Sequence, residues 1–286
     1  MKNDLIAYLF GTRAIRVCPK NVPFWYTSGK IGPYYVNTHF LYGSEDQANQ
    51  FLEKIDALKD DKAGCSDPIF HTALEQYGND PVYRGTLDSL TDYIRENLDP
   101  EAFDYVSGGE RRDWFFSFLV ADHFKKPHIT LFKDLDAYVY ENGKSQPVHD
   151  LKGAKVLHVA DLITTASSYE RAWVPALQKL GGEIKWSLVV VDRLQGGGEV
   201  LSSLNVESHA LIGIDRKVFE KALESGYINE DQLKMVLDYM EDPEESMRRF
   251  LMSHPDFITW ALDNGGKAAE RAKLLIENNF YRLKAM

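Results

Sequence analysis

The segment from Lys155 to Arg193 constrains the fold more than any other part of the chain. KVLHVAD (Lys155–Asp161) is an apolar run of strand length. It passes through ITTASS into YERAWVPALQKL (Tyr169–Leu180), which has helical spacing and closes at Gly181-Gly182. IKWSLVVVDR (Ile184–Arg193) is the next strand-like run. Strand, small-residue turn, helix, double glycine and strand make a βαβ unit, whose crossover leaves the two strands parallel. Such sheets carry helices on their faces, so the expected class is α/β, a parallel sheet flanked by helices. Pro175 interrupts the helical run and predicts a kink or a late start.

Neighbouring segments extend the pattern. FDYVSGG (Phe103–Gly109) reads as a strand entering a glycine turn, followed by a helix over Asp113–Phe124. HITLF (His128–Phe132) and ESHALIGI (Glu207–Ile214) are further strands, and Glu45–Leu58 has helical spacing. Gly64–Asp99 is polar and turn-rich, then helical. Residues 1–44 mix aromatic, Gly and Pro residues and read as irregular. Gly196-Gly197-Gly198 is read without a following helix, which sets a dinucleotide fingerprint aside. After Asp215 the runs RKVFEKALESGYI, NEDQLKMVLDYMED, PEESMRRFLMSHP and KAAERAKLLIENNFYRL are amphipathic helices. The expected organisation is a domain over 1–215 and a helical C-terminal extension over 216–286.

Composition excludes some partners. A formal net charge of -10 argues against nucleic acid or an anionic membrane as the main partner. Cys18 and Cys65 are the only cysteines and lack metal-type spacing, which suits a reducing compartment. The start, MKNDLIAYLF, carries charge too early for a signal peptide, and no run approaches the roughly 20 apolar residues of a membrane helix. The expectation is a cytoplasmic protein with no nucleic acid and no membrane partner.

The chemistry concentrates where the first strand of the βαβ unit ends. Asp161 stands at the carboxyl end of that strand, where open α/β sheets bind ligands. Thr164, Thr165, Ala166, Ser167 and Ser168 follow, just before a helix whose first N–H groups are unpaired. Those amides, the helix dipole and the hydroxyls suit a phosphate. The alternative is that Ser167 or Ser168 is an ordinary N-cap and Asp161 a turn residue. His158, within the strand, reads as a hydrogen-bonded core residue.

VLHVADLITTASSYERA resembles the phosphoribosyl pyrophosphate (PRPP) motif of type I phosphoribosyltransferases. Three further segments resemble the orotate branch in order and spacing. They are YTSGKIGPYYVNTH (Tyr26–His39), VSGGERRDWFFSFLVA (Val106–Ala121) and VVVDRLQGG (Val189–Gly197). The resemblance spans roughly residues 20 to 225. It implies the type I phosphoribosyltransferase fold, with an N-terminal hood inside the 1–215 domain. It also implies transfer of phosphoribosyl from PRPP to orotate, with Mg²⁺ bound through pyrophosphate, in a homodimer with active sites near the subunit interface.

On that resemblance Asp161 and Lys133 are the catalytic candidates. Asp161, Thr164 to Ser168, Arg111 and Arg112 are the PRPP-binding candidates, the two arginines facing pyrophosphate or, alternatively, solvated at a helix start. Lys30, Tyr34, Tyr35, Thr165 and Arg193 are the candidates for the base. Tyr34 and Tyr35 offer a flat surface for a pyrimidine or belong to the core, and Arg193 grips a carboxylate or pairs with Asp192.

The sequence departs from the family pattern at catalytic positions. Ala160-Asp161 replaces a pair of acids, and Ala166 replaces a loop glycine. Asp136 and Tyr138 stand where a mobile loop carries Lys and His, and Thr27 stands for a Lys. An acid facing pyrophosphate is repulsive, and Lys30 or Lys144 is the candidate to compensate. Two other functions therefore remain open: a non-catalytic PRPP- or nucleotide-binding regulatory protein, and a phosphoribosyltransferase for another base.

Overall fold

A computed structural model describes residues 2–283. The chain opens on helix α1 (Lys2–Gly11) and four short strands: β1 (Ile15–Val17), β2 (Phe24–Trp25), β3 (Ile31–Gly32) and β4 (Tyr34–Val36). A 3-10 turn (Thr38–Tyr42) leads into α2 (Glu45–Leu58), α3 (Ser66–Asn79) and α4 (Pro81–Asn97). Next come β5 (Tyr105–Gly109), α5 (Trp114–His123), β6 (His128–Leu131), β7 (Ala137–Glu141), β8 (Lys144–Pro147) and β9 (Lys155–Ile163). A π-helical turn (Tyr169–Trp173) precedes α6 (Val174–Lys179), β10 (Glu183–Asp192), α7 (Gly197–Ser203) and β11 (Glu207–Gly213). The C-terminal region holds α8 (Arg216–Glu224), α9 (Glu230–Glu241), α10 (Pro243–Ser253), α11 (Asp256–Asn264) and α12 (Gly266–Asn278). No described helix is long and apolar enough to cross a membrane.

The central sheet has seven strands in the order β11-β10-β9-β5-β6-β7-β8. The strands from β11 to β6 are parallel, as the βαβ reading requires, and β7 and β8 add an antiparallel edge. That hairpin is absent from the sequence reading although its signal is present. Asn142 and Gly143 carry φ of 50° and 74°, the positive pair that a two-residue Asn-Gly turn needs.

Helix α5 is apolar all round, and the structure explains why: Trp114, Phe115, Phe116 and Phe118 are all buried. The opposite face of the sheet is covered by Tyr169, Trp173, Val174 and Leu177, packed with Val156, Ala160 and Ile163 of β9. Pro175 has no N–H to continue the helical ladder, and the turn before it widens: Val174 N–H bonds Tyr169 O, five residues back.

Three more departures are plain. Residues 2–11 form a helix rather than irregular chain; Leu5, Ile6, Leu9 and Phe10 are all buried, so tertiary burial and not amphipathic spacing holds it. Helix α11 was unexpected too, and the three glycines do open a seven-residue helix, α7, with Gly196 at φ 89°.

The chain divides into two compact units. One comprises residues 1–14 with Thr38–Asp215, and holds the seven-stranded sheet. The other comprises Ile15–Asn37 with residues 216–286. The second unit thus joins the segment 15–37 to the C-terminal helices, where the expectation had placed that segment with the sheet. Its short strands cannot bury their own aromatic residues. Trp25 stacks on Phe257 with centroids 5.2 Å apart, and Tyr34 packs against Phe219 and Tyr239. Tyr281 Oη accepts the Ile31 N–H at 2.9 Å, and Gln232 Nε2 donates to Cys18 O at 3.1 Å. Both cysteines are buried and free, and burial raises each thiol to about 11, which keeps them protonated.

Candidate active site

Strand β9 pairs with β5 only as far as Ser107 and His158. The chain leaves β5 toward β6 on one side and β9 toward β10 on the other, so this gap is the switch point of the sheet, where a crevice opens at the carboxyl ends of the strands. A cavity of ≈ 340 Å³ lies there. Its walls come from the loop after β5 (Glu110–Asp113), the turn after β6 (Lys133), and the continuous run from Ala160 to Tyr169 with Trp173.

The run Thr164–Ser168 leaves the strand at Ile163 and enters a helix at Ser167. Glu170 N–H makes the first return bond, to Ala166 O at 3.1 Å, so the amides before it precede the helical ladder. Ala166 adopts φ 53°, a conformation that favours glycine, and its small side chain joins the core beneath the loop. Gly197 lies against the back of the loop, where a Cβ would stand 2.8 Å from Thr164 O.

Asp161 is 7% exposed, and its Oδ2 has no hydrogen-bond partner among the described residues. Burial, followed by the charge of Asp113, pushes its carboxyl up to about 7, against the opposing pull of Arg112. Asp113 lies beside it: Asp161 N–H donates to Asp113 Oδ1 at 3.2 Å. His158 is fully buried, bonded through Nδ1 to Ser107 Oγ at 2.9 Å, as a core histidine should be.

Arg111 and Arg112 both line the cavity. Arg111 is also paired with Asp56 of α2, and Lys59 of the same region bonds Glu110 Oε1 at 3.1 Å. Glu110 Oε2 in turn accepts the Lys133 N–H at 3.1 Å, which ties the two loops together across the mouth. His39, buried under the arginines, is held down to about 3 by burial and then by their charge, so it is neutral.

The structure thus brings together Asp161, Thr164–Ser168, Arg111, Arg112 and Lys133. Arg193 is not in the cavity wall, although its N–H donates to Ile163 O at 3.0 Å at the foot of the loop. Lys30, Tyr34 and Tyr35 belong to the other unit. Tyr34 is corrected: it is 2% exposed, enclosed by Phe219 and Tyr239, and has no free ring face to stack on a base. Tyr35 is half-buried beside Phe24 and Tyr26, and Lys30 Nζ stands 5.3 Å from the centre of the Phe280 ring. Lys144 pairs opposite Glu141 in the β7–β8 hairpin and takes no part in the cavity wall. Sequence reasoning missed Asp113, Glu110 and Trp173. Only Asp113 left a trace, as an acid at the head of a helix four residues after Gly109.

No group of three or more His, Cys, Asp or Glu among the described residues could cage a metal ion.

No family model matches the chain. Over 91 residues it is 35% identical to the orotate phosphoribosyltransferase of Saccharolobus solfataricus, a match of 32% of this chain and 46% of that protein. The chain thus spans about half the length of that relative. Over 218 residues it is 32% identical to the orotate phosphoribosyltransferase of Sulfurisphaera tokodaii, covering 76% of this chain and 89% of that protein. The structure of Leishmania donovani UMP synthase is similar with a TM-score of 0.58 over 84% of this chain and 42% of that one. At 17% identity it speaks for the fold alone, a type I phosphoribosyltransferase fold. With nearly nine-tenths of the Sulfurisphaera tokodaii protein covered, this chain belongs to the orotate phosphoribosyltransferase family.

Proposed function

We propose that the chain transfers phosphoribosyl from PRPP to orotate, forming orotidine monophosphate and pyrophosphate. The observation that carries this reading is the cavity itself, in which a helix-head loop, two arginines, a lysine and a buried carboxyl converge at the switch point. The amides and hydroxyls of Thr164–Ser168 hold the 5-phosphate. Arg111, Arg112 and Lys133 face the pyrophosphate, and Asp161 Oδ2 accepts from a ribose hydroxyl. Thr165 and Arg193 are the candidates for the base on the unit that holds the sheet. Mg²⁺ carried by PRPP would offset part of the charge of the leaving pyrophosphate. Bond cleavage at the sugar is then helped by cations already aimed at the departing oxygens. The protein acts as a cytoplasmic homodimer in pyrimidine nucleotide biosynthesis.

One observation favours a second reading, PRPP binding without fast transfer. Lys133 is the only lysine of the cavity wall among the described residues, and the turn that carries it is short and ion-paired. Pyrophosphate release from PRPP, Mg²⁺ and purified protein, with and without orotate, separates the two. Orotate-dependent release at roughly 1 per second or faster supports the enzyme. PRPP binding without release supports the second reading, and failure to bind PRPP removes both.

A further inference from the structure

Asp113 begins helix α5, where an aspartate ordinarily caps the free N–H groups of its own first turn. Its side chain makes no such bond. Its carboxylate reaches two other elements instead. Oδ2 accepts the Gly109 N–H, at the end of β5, at 3.0 Å, and Oδ1 accepts the Asp161 N–H, in β9, at 3.2 Å. Both amides lie beyond Ser107 and His158, the last residues at which β5 and β9 pair with each other. Where the ladder between the strands stops, one carboxylate satisfies an amide on each side. His158 Nε2 backs it at 3.4 Å from Oδ2, with its other nitrogen held by Ser107. Asp113 is 8% exposed and forms part of the cavity wall.

We propose that Asp113 is the positioning residue of this site, a wedge that fixes the width of the gap between β5 and β9 and sets the orientation and charge of Asp161. Two consequences follow from the geometry. Removing the carboxylate orphans two buried amides, one below the arginine loop and one on Asp161 itself, so both halves of the PRPP site shift together. It also removes the nearest negative charge from Asp161. The other titratable or charged groups around Asp161 are Glu110 and the Arg111–Arg112 pair from the loop after β5, Lys133 from the β6–β7 turn, Tyr169 from the helix head, His158 on its own strand and His39 from the 3-10 turn. Burial is the larger cause opposing ionisation of Asp161, and the charge of Asp113 adds to it.

The inference rests on the PRPP reading above, and the test keeps the two apart. Wild type and Asp113→Asn are compared by PRPP titration calorimetry and by initial rates from pH 5 to 9, with circular dichroism and urea unfolding as controls. In wild type, kcat/KM for PRPP should fall on the acid side with a midpoint near 7, as Asp161 takes up its proton. In Asp113→Asn that midpoint should move down by about one pH unit. At pH 7.5, kcat/KM for PRPP should drop at least about tenfold while KM for orotate stays within about twofold. A merely structural role would lower stability without moving the midpoint. A folded Asp113→Asn with an unchanged midpoint and unchanged PRPP parameters overturns the proposal. If that variant does not fold, Asp113→Glu takes its place with the same readouts: a shifted midpoint with weaker PRPP binding supports the proposal, and an unchanged midpoint with unchanged PRPP parameters overturns it. A wild type that does not bind PRPP defeats the reading beneath it instead.

Discussion

Lys62 Nζ, from the linker between α2 and α3, stands 2.7 Å from the Asp136 carboxylate and also pairs with Asp134. Asp136 is thus paired with a cation of another element and is not among the described residues that line the cavity. The Lys62 ammonium also lies 5.3 Å from the centre of the Phe132 ring, so the turn is held by a cation from another element. Replacing Lys62 with Ala should leave two unneutralised carboxylates beside Lys133. A stability loss of about 0.5–1 kcal/mol by urea unfolding is expected, because the carboxylates are largely exposed. Asp136→Lys should fail to raise turnover, since it sets two ammonium groups side by side. A several-fold gain in kcat would contradict this.

The same pair predicts a pH dependence at both ends. Hydrogen bonds from Lys62 depress Asp134, so its contribution is present above the unfolded value near 3.8 and lost as pH falls through the lower folded value. Bonds to Asp134 and Asp136 raise Lys62, so its contribution is present below 10.5 and lost as pH rises through the higher folded value. The stability difference between wild type and Lys62→Ala should be flat from pH 5 to 9 and shrink outside that range. Stability curves for both proteins at 0.1 M salt would check it.

Asp161 titrates with the opposite sign. Its folded value, about 7, lies above the unfolded 3.8, so the stability it contributes is present below 3.8 and lost as pH rises toward 7. Asp161→Asn should thus become the more stable protein at pH 8 relative to wild type, by about 1–3 kcal/mol, while PRPP affinity falls about tenfold or more. Equal PRPP affinity in calorimetry would remove Asp161 from the site.

Gly109 is a steric prediction. A Cβ there would fall inside the Trp173 indole, which forms the cavity wall behind it. Gly109→Ala should cost about 1–3 kcal/mol and distort the arginine loop. Pairing it with Trp173→Ala should recover part of that cost, so the double mutant would be less destabilised than the sum of the singles. Strict additivity would mean that the two residues do not meet.

Lys133 and Lys144 should separate cleanly. Lys133→Ala removes the one lysine of the cavity wall and should lower kcat by about 10²-fold, within the range for losing one donor to a developing charge. Lys144→Ala, at the hairpin end opposite Glu141, should leave kcat and KM within about twofold.

The local half of this protein was legible in its residues. Strand length, helical spacing, the double glycine and the Thr/Ser run between strand and helix are all short-range signals. They located β9, β10, α5 and the loop Thr164–Ser168 because backbone periodicity is set by neighbouring residues. Even the unforeseen hairpin carried its mark in Asn142-Gly143. What the residues do to each other at long range was not legible. Asp113 meets Asp161 across 48 positions, Lys62 meets Asp136 across 74, and Tyr281 meets Ile31 across 250. The ionisation of Asp161 depends on burial and on a carboxylate delivered by another helix, and neither is encoded within a window of sequence. Tyr34 makes the same point: its aromatic ring suited a planar ligand until Phe219 and Tyr239 enclosed it. The sequence determined the βαβ elements and the place of the candidate site at a strand end. Tertiary packing alone decided which charges meet there, because electrostatic and packing energies depend on distances in space rather than along the chain.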